Sequence, residues 1–151
     1  MKRMGSILPI LVLIGSVGVS AAKAADGTLL KEEIQVKDYN GIPYVSGGFG
    51  VEERESLRAM TKGDNLELSF ALQNGSYLGG AKVLIRDDQG RKILETVSDG
   101  PLFFTKLRPG KYTIDATAMG KTLEQVAQVP PKGQMHVSFA WKESEQASTT
   151  F

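Results

Sequence analysis

The chain has no cysteine, one histidine and one tryptophan. Without cysteine there is no disulfide, no thiolate metal ligand and no residue for lipid attachment. The chain is therefore read as no lipoprotein, and its fold must rest on an apolar core and on hydrogen-bond ladders. A single histidine, His136, rules out a zinc site built from three or four His or Cys ligands, and equally an iron site of two His and two Tyr. Charge of one sign is also missing: 18 Lys and Arg stand against 17 Asp and Glu, a net +1. Such a balance exerts no long-range pull on nucleic acid or on anionic lipid, so both drop out as expected partners.

Long apolar runs are scarce too. The one present, Ile7 to about Val19, follows Lys2 and Arg3 and precedes Ala22-Lys23-Ala24. A membrane-spanning helix needs about 20 apolar residues, and this run is shorter. Basic start, short apolar middle and small-residue end together predict a secretory signal peptide over residues 1–24, cleaved after Ala24. The expected location is periplasmic or secreted, with no membrane span after cleavage. Loss of Lys2, Arg3 and Lys23 leaves a mildly acidic mature chain.

What remains is of a size for one globular domain, with 41% hydrophobic and 7% aromatic residues over the whole chain of 151, and can bury a sufficient core. Residues 65–141 carry the clearer pattern. "NLELSFAL" places Leu66, Leu68, Phe70 and Leu72 at alternate positions, which is one face of a strand. "GAKVLIRD" repeats this with Ala81, Val83 and Ile85, and "DDQG" supplies turn chemistry. "RKILETVSDG", "LFFTKL", "KYTIDATAMG", "KTLEQVAQVP" and "MHVSFAW" follow, with turn signals every 8 to 12 residues or so. About seven strands in an all-β sandwich joined by short hairpins is the fold this spacing predicts. Each sheet is expected to keep one wet face.

The run from Gly80 to Trp141 resembles the carboxypeptidase regulatory-like domain, a transthyretin-like, Ig-like β-sandwich. The resemblance is carried by Asp88-Gln89-Gly90, by "TVSDG" from Thr96 to Gly100, by the strand Leu102 to Phe104, and most specifically by "LRPGKYTI" from Leu107 to Ile114. There a Pro-Gly turn delivers Tyr112 to the next strand. One departure stands out: Pro101 follows Gly100 where the family has a longer turn. The resemblance implies a mostly non-catalytic module that docks on other molecules, as in small secreted bacterial proteins without an assigned activity. It also brings to mind the hydroxyisourate hydrolases of the transthyretin fold, but their several histidines and C-terminal Tyr-Arg-Gly-Ser are not present here.

Residues 25–64 are read as an N-terminal arm with one short helix. "YVSGGFGVEERESLRAM" passes from an apolar run through Gly47, Gly48 and Gly50 into a helix predicted over about Val51 to Thr61. A phosphate loop would set the helix N-terminus and a nearby cation on the anion. Glu52 and Glu53 occupy that first turn instead, where they stabilise the helix by about 0.3 to 1 kcal/mol each and repel an anion. The three glycines are therefore read as positive-φ residues at a bend. Leu57 and Met60 are the expected anchoring face, with Glu55 paired to Arg58 outside.

Binding candidates are aromatic. Tyr77 lies in the polar, glycine-rich "QNGSYLGG", where an exposed ring makes an anchor; Phe49 and Tyr44 flank the glycine bend. Met119, Met135 and His136 are soft donors for Cu(I), but scattered ones. No nucleophile-elbow motif surrounds any serine. The tail, residues 142–151, is polar and expected to be flexible. The sequence thus predicts a non-catalytic secreted module, with no cofactor and no bound metal, docking on a protein or glycan of the cell envelope through Tyr77, Phe49 and Tyr44. The alternative is a small periplasmic ligand or metal carrier.

Overall fold

A computed structural model describes residues 34–143, all of them in one compact unit. The expected signal peptide and residues 144–151 of the tail lie outside the described residues.

Two sheets and one helix make up the fold. β1 (Lys37–Tyr39), β2 (Ile42–Gly47), α1 (Val51–Met60), β3 (Leu66–Leu72), β4 (Lys82–Arg86), β5 (Lys92–Val97), β6 (Leu102–Thr105), β7 (Gly110–Ala118), β8 (Lys121–Val129) and β9 (Met135–Trp141) follow in order. The sheets run β1-β2-β6-β3-β9 and β5-β4-β7-β8. Mostly β with two sheets, as the alternation predicts, the described chain has nine strands and not seven. The two extra strands come from the segment expected to be an arm. "DYNGIPY" makes a two-residue hairpin in which Asn40 and Gly41 both take positive φ, +48° and +88°, the mirror-image turn that matches strand twist. β2 then pairs antiparallel with β6, Val45 opposite Phe104, which ties the hairpin into the five-stranded sheet.

The space between the sheets is filled by alternate residues of both. Leu66, Leu68 and Phe70 of β3 meet Val83 and Ile85 of β4 and Ile114 of β7 in one buried cluster. Phe139 stacks on both Phe70 and Trp141, and Phe70 meets Trp141 at a tilt of 43°, with ring centroids 5.9 to 6.2 Å apart. Each such side chain stabilises the fold by about 1.5–3 kcal/mol. Tyr112 is buried at the rim of this core, and its hydroxyl donates to the Arg108 carbonyl at 2.7 Å, so the Pro-Gly turn is tied to the strand it feeds. Asn65 performs a similar service: Nδ2 donates to the Leu107 carbonyl at 2.6 Å and Oδ1 accepts from the Leu107 N–H at 2.9 Å.

β3 joins the two halves of its sheet. It pairs antiparallel with β6 and, in parallel, with β9 at Leu66↔Met135 through Leu72↔Trp141. No short hairpin makes that parallel contact, so turn chemistry gave no sign of it.

A second, smaller core lies on the outer face of the five-stranded sheet, where Leu57 of α1 packs with Val45, Leu102 and Phe104. Among the described residues no helix is long and apolar enough to cross a membrane.

Candidate functional site

α1 is a weak helix by itself: its N-cap is Gly50, which offers no side-chain bond, and only Leu57 is fully buried. Tertiary contact holds it. The glycine bend makes that contact possible, because Leu57 Cδ1 comes within 3.5 Å of the position a Gly47 Cβ would take, and Arg54 Cγ within 3.1 Å of the one at Gly48. Gly48 has φ +101°, whereas Gly50, at −90°, does not take the positive value expected of it. The Glu53 carboxylate lies against Gly47, which puts negative charge where an anion would sit in a phosphate loop. Met60, expected under the helix, is 47% exposed. Arg58 pairs with Glu67 at 3.9 Å rather than with Glu55, because the helix lies over the sheet and turns that side towards β3.

The helix brings two of the aromatic candidates together. The segment after β3 folds back, with Leu78 N–H donating to the Phe70 carbonyl and Leu72 N–H to the Ser76 carbonyl. Tyr77 then bridges to Ala71. Arg54 reaches from α1 so that its guanidinium carbon sits 4.6 Å from the Tyr77 ring centroid, a cation–π contact. The same side chain donates to the carbonyls of Gly48 and Phe49 at 2.8 and 3.1 Å, fixing the loop that carries Phe49. The Phe49 ring in turn lies over Gly79, where any Cβ would meet it at 2.6 Å. Phe49 and Tyr77 remain 58% and 50% exposed. Two loops distant in sequence thus present two rings joined by one arginine.

Tyr44 is not part of this patch. It is buried, stacks on Phe103 at 5.5 Å and shares a hydrogen bond with Thr96 Oγ1 at 3.0 Å. β2 is a strand of the sandwich, and alternation turns Tyr44 inward. The soft donors are not assembled either. Met135 and His136 leave β9 on opposite faces, and Met119 sits in the β7–β8 turn, two residues before Lys121, whose carbonyl accepts from Trp141 at the other end of β9.

A polar cleft opens at the far end of the same outer face. Glu67, with only 7% of its side chain exposed, lies 2.5 Å from His136 Nδ1 through Oε2 and 3.9 Å from Arg58 through Oε1. The two form an ion pair when His136 is protonated, and the imidazole is 64% exposed. The cleft is about 320 Å³ and is lined also by Thr61, Lys62 and Gln134. Arg54 and the Glu67–His136 pair went unnoticed in the sequence. Alternation gives the face of each residue, but only the parallel β3–β9 register sets Glu67 beside His136. No protein-family model and no curated protein matches the chain.

Proposed function

We propose that the protein is a secreted, periplasmic, non-catalytic module, a transthyretin-like sandwich of the carboxypeptidase regulatory-like kind, that docks on a component of the cell envelope through the Phe49–Arg54–Tyr77 patch. The observation that carries this is the patch itself. Two aromatic rings, each at least half exposed, are held in place by a shared arginine. Rigid exposed aromatics with an adjacent Arg are the side chains that dominate binding energy in interfaces, and holding them before binding reduces the ordering cost.

The carrier alternative is disfavoured by packing. The region between the sheets, where a carried ligand would be enclosed, is occupied by Phe70, Phe103, Phe139 and Trp141.

The test is site-specific photocrosslinking in the native envelope, with the crosslinker at position 77 or, as a control, at Val126 on the other sheet. The expected result is one product from position 77 that is absent from position 126 and lost in Phe49→Ala. Equal products from both positions, or persistence in Phe49→Ala, would sink the proposal.

A further inference from the structure

The aromatic patch and the Glu67 cleft are two ends of one surface. Alternation puts Glu67, Ser69 and Ala71 of β3 on the outer face of the sheet, and register sets them beside His136, Ser138 and Ala140 of β9. Tyr77, bridged to Ala71, stands at one end, and the Glu67–His136 pair at the other. Four residues of strand separate these ends, about 13 Å at the usual rise, the reach of a short oligosaccharide. α1 forms the wall. Arg54 lies over Tyr77, and Arg58, one turn further on, lies at the cleft, followed by Lys62.

The charges and donors on this surface are unequal. Glu67 is buried and engaged by two partners, whereas Arg58 is 58% exposed with only a 3.9 Å contact. Lys62 lines the cleft with no acidic partner among the described residues. Glu55, the remaining acid on this side of the helix, is exposed to solvent. Between the two ends, Ser69 Oγ donates to Ser138 Oγ at 2.9 Å, so the floor carries paired hydroxyls that both donate and accept.

We propose that this surface binds an anionic oligosaccharide of uronate type, a proposal that rests on the docking reading above and narrows its partner. A sugar ring stacks on Tyr77, ring hydroxyls exchange hydrogen bonds with Ser69 and Ser138, and a sugar carboxylate is held by the planar fork of Arg58 and by Lys62. An acidic peptide matches the charges but not the floor. The floor centres on β3, which β6 and β9 pair on both sides, so its backbone groups are consumed in the ladders, whereas extended peptides are held by the main chain at sheet edges. Sugar hydroxyls need only side-chain partners.

The experiment titrates the secreted chain with tetragalacturonate, a neutral tetrasaccharide and tetraglutamate, by calorimetry and by backbone amide shifts. Saturable binding of the uronate alone is expected, with shifts at Ser69, Ser138 and His136, weakening as salt rises. Arg58→Gln and Lys62→Gln, both at exposed positions, should each lower affinity by about tenfold through loss of a charge-assisted contact, and Tyr77→Ala should lower it as well. Equal binding of tetraglutamate or of the neutral sugar overturns the proposal, as does no binding. If uronate fails while crosslinking from position 77 still gives its single product, the docking reading stands without the glycan; if both fail, both fall.

Discussion

Gly100 rests on the backbone of Gly47: a Cβ built at Gly100 would fall 2.5 Å from the Gly47 carbonyl carbon and oxygen and 2.7 Å from its Cα. This contact joins the loop before β6 to the end of β2, directly beneath the glycine bend that seats α1. Gly100→Ala must therefore push backbone against backbone, with no flexible side chain to give way. The expected cost is about 1–3 kcal/mol, measured as a lower urea midpoint. Gly63→Ala, whose Cβ meets nothing within 4 Å, is the control and should be near neutral. Equal stability of the two variants would contradict the close approach.

Leu57 anchors α1 from a cluster of its own, with Val45, Leu102 and Phe104. Leu57→Ala should cost about 2–5 kcal/mol, as for other fully buried leucines. Because the inter-sheet core is a separate cluster, hydrogen exchange in α1 should speed up more than exchange in β3 or β7. Uniform acceleration across helix and sheets would mean that helix and sandwich unfold as one unit.

Asn65 satisfies both backbone groups of Leu107 and is itself 8% exposed. Asn65→Ala leaves a buried N–H and a buried carbonyl without those partners, and such groups cost about 1–3 kcal/mol each to strand. Denaturant unfolding should show the loss. A change below a few tenths of a kcal/mol would mean that water replaces the amide without penalty.

Asp64 carries the pH prediction. Burial raises its pKa above the ordinary 3.8, with Lys106 opposing in part. The folded state thus holds the proton more tightly than the unfolded chain, so the associated stability is present in acid and is lost as pH rises through the raised folded value. At neutral pH the ionised group is a small liability, screened because it is only partly buried. Asp64→Asn should raise the urea midpoint at about pH 7 and give no gain at about pH 3, below both values. A gain of equal size at both pH values would show that ionisation is not the cause.

The amino-acid sequence alone determined which residues face inward along most strands, because period-two alternation of Leu, Val, Ile and Phe leaves a strand only one way to bury its apolar side. It determined the short helix for the same kind of reason, since Glu52 and Glu53 suit a helix N-terminus and no phosphate. The β1–β2 hairpin went unread, although Asn40-Gly41 is a hairpin turn signal, because its flanking strands are too short and mixed to stand out. Tertiary structure decided the rest. The parallel β3–β9 register joins segments 69 residues apart, and no local rule specifies which distant strand fills a sheet position. That register sets Glu67 beside His136, and the seating of α1 on glycine backbone aims Arg54 at Tyr77. Both depend on which surfaces meet, a property of the whole fold that no single segment encodes.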